Sequence, residues 1–167
     1  MSPAADPPAD QPLLSPTLSR RKPHSTNHHL TDPHSTNRSG IARGVEVYGV
    51  KRGYAGLIED NMQLMEARSV GGIIQQGGTI LGSARSLEFK TVEGRQRALA
   101  NLHARGIEGL VVIGGNGSQT GASALNDMGF PVIGVASTID NDLIGSDITI
   151  GVDTALNIAL EAIDRLK

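Results

Sequence analysis

Leu110-Val111-Val112-Ile113-Gly114-Gly115-Asn116-Gly117-Ser118 is the stretch that decides the fold of this 167-residue chain. Four consecutive apolar residues, three of them β-branched, predict a strand buried on both faces, as in parallel sheets. Three glycines follow within four positions, and Ser118 is placed to cap the next helix. Strand, Gly-rich turn and helix N-terminus together offer backbone N–H groups and the positive end of a helix dipole to an anion such as phosphate. A Gly-Gly turn also serves as a plain connection between strand and helix, so the flanking sequence has to separate the two readings.

Downstream, a helix is predicted from Ser118 to Met128 with Gly129 as its stop, then a strand over Phe130-Pro131-Val132-Ile133-Gly134-Val135. A polar loop, Ser137–Asp147, precedes a helix carrying Leu156, Ile158, Leu160, Ile163 and Leu166 and running to Lys167. Upstream, Thr91–Arg105 reads as a helix stopped by Gly106, with Val92, Leu99 and Leu102 on one face. Gly77–Arg85 reads as a short strand entering a polar turn, Asp60–Ala67 as a short helix, Lys51–Gly56 as a loop and Gly44–Val50 as a strand. Strands alternating with helices over short connections predict an α/β fold, a Rossmann-like parallel sheet with flanking helices.

Residues 1–43 are a different kind of sequence. They hold seven of the eight prolines and four of the five histidines, and lack a periodic apolar pattern. Such a stretch buries too little surface to offset its ordering entropy and is expected to be a disordered tail, with the folded domain at 44–167. Within it Pro23-His24-Ser25-Thr26-Asn27 recurs as Pro33-His34-Ser35-Thr36-Asn37. No carboxylate framework fixes a metal geometry there, and no apolar run follows Arg20-Arg21 to make an export signal.

A formal charge of −2 lacks the basic excess of a nucleic-acid binder, and four aromatic residues leave little for base stacking. The chain has no cysteine, which removes disulfides and thiolate chemistry and fits a cytoplasmic setting. No apolar run approaches the roughly 18–20 residues that span a bilayer, so neither nucleic acid nor membrane is an expected partner.

Ligands of parallel α/β sheets bind beyond the carboxyl ends of the strands, where the loops Ser83–Glu88, Gly114–Ser118 and Ser137–Asp142 leave. Thr138-Ile139-Asp140-Asn141-Asp142 sets two carboxylates two residues apart, on the same side if the segment is extended. Beside a phosphate cradle, one carboxylate can take a hydroxyl proton and the other can hold Mg²⁺. Arg85 is the cation on the neighbouring loop suited to phosphoryl oxygens. A solvated acidic loop and a surface Arg are the plain alternatives.

Three stretches, Gly77–Arg85, Gly114–Ser118 and Thr138–Asp142, stand in the order and spacing of the 6-phosphofructokinases, which the chain resembles from about Gly44 to Lys167. Thr149-Ile150-Gly151 and Glu161-Ala162-Ile163-Asp164-Arg165-Leu166 are similar to that family as well. The resemblance implies transfer of the ATP γ-phosphoryl group to the 1-hydroxyl of fructose 6-phosphate, with Mg²⁺. It implies Asp140 as base and substrate contact, Thr138 as substrate contact and Arg85 as stabiliser of the transferring charge. It places Gly115, Asn116, Gly117, Ser118 and Gly121 along the nucleotide with Tyr54, Arg85 and Ser86 near it, and assigns the metal to Asn116 and Asp142. It also implies a homo-oligomer, a tetramer for the full-length enzyme.

The chain departs from the family pattern. Many ATP-using members carry Asp at the position of Asn116, which offers a carbonyl oxygen without charge. Gly117 matches ATP users, whereas Ser137 matches neither ATP users nor pyrophosphate users, so a pyrophosphate-dependent enzyme stays open beside a non-catalytic nucleotide-binding remnant. The family also opens with a strand and a Gly-Gly-Asp loop, and continues into a half that supplies Arg and His residues for the sugar phosphate. The expectation is therefore an incomplete phosphofructokinase fold, an amino-terminal-half fragment with an unrelated start, exposed sheet surface and little activity alone.

Overall fold

The computed structural model describes residues 17–20, 33–73 and 79–166. At one side of its sheet is a parallel pair, β4 (Gly109–Gly114) and β5 (Val132–Ala136), in register from Leu110 opposite Val132 to Gly114 opposite Ala136. Helix α4 (Asn116–Asp127) makes the crossover between them. Leu110, Val112 and Ile113 are fully buried, as their apolar run requires. Strand β2 (Glu46–Val50) forms from the alternating Glu-Val-Tyr-Gly-Val run, and β3 (Met62–Met65) returns antiparallel to it.

Strand β1 (Thr17–Arg20) lies between β2 and β4 and is antiparallel to both, giving the order β3-β2-β1-β4-β5. Thus β2, β4 and β5 run in one direction and β1 and β3 in the other, so the sheet is mixed rather than uniformly parallel. Helix α1 (Pro33–Ala42) precedes β2. Strand and helix both fall within the stretch expected to be disordered. The backbone groups of β2 and β4 supply hydrogen-bond partners to β1 whatever its side chains, which a composition argument does not register. The rest of the expected tail, residues 1–16 and 21–32, lies outside the described residues.

Side chains alternate across the sheet and build two cores. On one face Tyr48 and Val50 of β2 join Leu110 and Val112 of β4 against α2 (Gly53–Ile58), α3 (Val92–Ala104) and α4. Leu57, Ala98, Leu102, Leu125 and Phe130 fill that layer. On the other face Val47 meets Met65, Val70, Ile73 and Leu81, with Ile41 of α1 packed alongside. Gly40 lets α1 approach, since a Cβ there would lie 2.7 Å from Val47 Cγ2.

Helix α3 starts at Thr91, whose Oγ1 accepts from Gly94 N at 3.0 Å, and stops where Gly106 takes φ 64°. Two expectations are corrected upstream. The segment 60–67 is not helical, because Asp60 turns at φ 58° and Met62–Met65 pairs with β2 instead. The helix lies earlier, at Gly53–Ile58, overlapping the stretch Lys51–Gly56 read as loop. Gly77 and Gly78 are outside the described residues, and Thr79–Arg85 is irregular rather than a strand.

Apolar surface is exposed at the far edge of the sheet. Ile133 of β5 is 66% exposed, and α5 (Val152–Asp164) has no buried residue, with Leu156, Ile158, Leu160 and Ile163 facing outward. Among the described residues, no helix is long and apolar enough to cross a membrane.

Arg105, just after α3, clasps Asp60 with Nε to Oδ1 at 2.5 Å and Nη2 to Oδ2 at 2.8 Å. That hydrogen bond, aided by the guanidinium charge and opposed by burial, holds the Asp60 carboxyl below its ordinary value. A depressed carboxylate contributes stability above its unfolded pKa and loses it as pH falls through the folded one. Both groups are partly exposed, so Arg105→Ala should cost under about 1 kcal/mol near neutral pH. The difference from the parent should vanish in urea melts at acid pH, below the folded Asp60 pKa.

Candidate functional site

The site begins where β4 ends. Helix α4 starts at Asn116 with Gly115 as its N-cap, an extended residue at φ −86° that supplies no side-chain cap. Ser118 is therefore the third helical residue and not the cap. Its side chain is buried, and its Oγ has no hydrogen-bond partner. The first amides of a helix have no intrahelical acceptor, so the N–H groups of Asn116, Gly117 and Ser118 lie at the positive end of the dipole, in the arrangement of a candidate anion cradle. Asn116 and Gly117 are exposed while Gly115 is buried beneath them.

Tyr54 is a wall of this cradle from the inside. It is 2% exposed, stacks on Phe89 at 3.8 Å between ring centroids, and donates its hydroxyl to Ser118 O at 2.6 Å. Burial pushes the phenol well above its ordinary value, so it remains a donor. Gly121, one turn into α4, leaves the space for the ring: a Cβ there would lie 2.6 Å from Tyr54 Cε2. Both residues were expected along the nucleotide; in the structure Tyr54 is a core residue that reaches the cradle through one carbonyl, and Gly121 accommodates it. Ser86 Oγ accepts from the backbone N of Phe89 at 3.3 Å, while Arg85 is exposed just before it.

The second loop leaves β5. Ser137 N donates to Gly114 O at 3.1 Å, which ties the start of this loop to the end of β4. Asn116 Nδ2 then donates to Asp142 Oδ2 at 2.9 Å, so the two residues assigned to metal are in direct contact. Asp140 N donates to Thr138 Oγ1 at 3.3 Å, which puts the assigned base and substrate contact in one turn. Asp140 and Asp142 are both exposed. Carboxylate and amide oxygens at 142 and 116 are the hard donors that suit Mg²⁺, which usually takes its remaining ligands from phosphate and water. Among the described residues no cluster of three His, Cys, Asp or Glu offers a complete protein cage.

Three residues that sequence reading passed over hold the loops in place. Asn141, at φ 50°, donates Nδ2 to Asp147 O and accepts from Thr149 N at 3.0 Å. Thr149 is buried and donates Oγ1 to Thr138 O at 2.7 Å. Gln119 Nε2 donates to Gly114 O and Val135 O. The Asn between two Asp residues was a sequence signal for a left-handed turn; Thr149 was marked only by family resemblance, without this role, and nothing marked Gln119.

Comparison with known proteins identifies the family of the chain. The phosphofructokinase family profile, described as "Phosphofructokinase", matches residues 34–167. The chain is 56% identical over 133 residues to an ATP-dependent 6-phosphofructokinase of Tolumonas auensis, covering 80% of this chain and 42% of that protein. It is 59% identical over 131 residues to ATP-dependent 6-phosphofructokinase 1 of Thermus thermophilus, covering 78% of this chain and 41% of that one. The solved structure of Pichia pastoris phosphofructokinase in the T-state superposes with a TM-score of 0.74 at 34% identity, over 79% of this chain and 16% of that one. The chain thus spans about two fifths of the curated relatives it matches. With the family profile matched over most of its length and the α/β architecture shared with solved members, the chain belongs to the phosphofructokinase family.

Proposed function

We propose that this chain carries the nucleotide-binding and base-bearing part of a site that transfers the ATP γ-phosphoryl group to the 1-hydroxyl of fructose 6-phosphate. The observation that carries the reading is the Asn116–Asp142 contact, which brings the start of the α4 cradle against the acidic loop after β5. Phosphate oxygens would take the free amides at the start of α4. Mg²⁺, when bound, neutralises charge on those oxygens, and Asp142 with Asn116 would hold it. Asp140 would accept the proton of the 1-hydroxyl as that oxygen attacks phosphorus, while the bond to the bridging oxygen breaks and ADP leaves with its electron pair. Thr138 would orient the sugar, and Arg85 would face the equatorial oxygens as charge moves across them. A cytoplasmic setting and a homotetramer of the full-length enzyme belong to the same reading.

A second reading, nucleotide binding without turnover, is favoured by one observation. Asn116 provides an amide where a charged metal ligand would bind Mg²⁺ more strongly. Calorimetric titration with Mg-ATP and with fructose 6-phosphate, beside a coupled assay for ADP release, separates the two. Mg-ATP binding with sugar-dependent ADP release supports transfer, and binding with no release supports the second reading. Absence of Mg-ATP binding would sink both.

A further inference from the structure

Gln119 occupies a position that no part of the reading above uses. Its Nε2 carries two hydrogens, and both are used: one on Gly114 O at 3.0 Å, the other on Val135 O at 2.9 Å. Gly114 ends β4 and Val135 lies near the end of β5, so one amide from α4 bridges the two strands where their loops diverge. Gly114 O also accepts from Ser137 N at 3.1 Å, which fills both its lone pairs. The side chain lies across Gly134, where a Cβ would meet Gln119 Oε1 at 2.0 Å. Glu in place of Gln would set a carboxylate acceptor against two carbonyl acceptors, and Asn would be one methylene short.

We propose that Gln119 is a positioning residue, which fixes the spacing between the Gly114–Ser118 cradle and the 137–142 loop, and that Gly134 is the gap its side chain needs. The consequence for phosphate and Mg²⁺ rests on the phosphoryl-transfer reading; the clamp itself does not. Strand pairing ties the ends of β4 and β5 at one last backbone bond, Ser137 N to Gly114 O, beyond which the loops depart in different directions. The Gln119 amide holds both ends from a third element.

Amide hydrogen exchange on the full chain without ligand tests the clamp. Gln119→Met keeps length and removes both donors, and exchange at Ser137–Asp142 should rise about fivefold while α3 is unchanged. Gly134→Ala should give the same local effect by displacing the Gln119 side chain. In a Gln119→Ala background, adding Gly134→Ala should change nothing more, since the clash partner is gone. Unchanged exchange at Ser137–Asp142, or an equal rise in α3, would overturn the proposal.

Calorimetry then tests the consequence. In Gln119→Met the Mg²⁺-dependent gain in ATP affinity should fall about fivefold, with metal-free ATP affinity retained. An equal loss of both would mean a merely structural role. Wild-type protein with no Mg²⁺-dependent ATP binding would defeat the transfer reading, and the exchange result would still decide the clamp.

Discussion

Replacing Asn116 by Asp should make the stability of this protein depend on Mg²⁺. In the parent the amide donates to Asp142 Oδ2 at 2.9 Å, so the pair is held together without a cation. Asn116→Asp removes the donor and sets two carboxylates against each other, and like charges so placed disfavour their ionised forms. Both residues are exposed, which limits the cost in metal-free buffer to about 1 kcal/mol, or about 3 °C in Tm for a chain of this size. Millimolar Mg²⁺ should recover that loss and more, because a second hard anionic ligand now faces the first. Affinity for Mg²⁺ or Mg-ATP should rise at least roughly tenfold. Thermal melts of parent and variant with and without MgCl₂ read this directly. If the variant melts at the same temperature with and without Mg²⁺, the assignment of residues 116 and 142 to the metal is wrong.

Gly121→Ala should destabilise the chain, against the intrinsic preference of a helix. Ala is favoured over Gly inside a helix by about 1 kcal/mol. At this position, however, the added Cβ would lie 2.6 to 2.9 Å from Cε2, Cζ and the hydroxyl of Tyr54. Tyr54 cannot retreat, because Phe89 stacks on its other face at 3.8 Å with the rings within 10° of parallel. Either α4 shifts or the buried phenol gives up its 2.6 Å bond to Ser118 O. Overpacking with a lost buried hydrogen bond outweighs the helix gain, leaving a net loss of about 2–3 kcal/mol. Because the clash sits one turn into α4, Mg-ATP affinity should fall more than about tenfold with it. Tyr54→Phe, which loses only the hydroxyl, should cost about 1 kcal/mol and serves as the comparison in urea denaturation. A Gly121→Ala variant more stable than the parent would show that Tyr54 and α4 repack freely.

These two predictions mark where sequence reading succeeded and where it stopped. Leu110–Ser118 was legible as strand, turn and helix because its apolar run and glycines act locally. The helix starts two residues earlier than expected, since Gly115 caps in backbone conformation alone and Ser118 is swallowed into the first turn. Asp60–Ala67 was misread because Met62 and Met65, the buried residues of β3, are three apart, a spacing that also fits a helix. The partner strand β2 decides the matter, and local pattern does not contain it. Tyr54 was placed in the site by resemblance alone. That its ring is sealed between Phe89 and Gly121 depends on residues far apart in the chain. Strand β1 had no signal of its own, because Thr-Leu-Ser-Arg shows little that favours a strand and its order comes from neighbours.

The central place of β1 also bears on how the chain assembles. β2 with β3, and β4 with β5 through α4, are local units whose contacts close short loops and can form early. Between them stands a four-residue strand from the start of the chain, paired to Gly49 on one side and to Val111 on the other at Thr17. Closing that long-range contact joins two half-sheets into one, and until it happens both halves present open edges to strands of other chains. Synthesis delivers β1 before anything it can pair with. Among the described strands, β1 can meet β2 early but has both its neighbours only after β4, far along the chain, has been made.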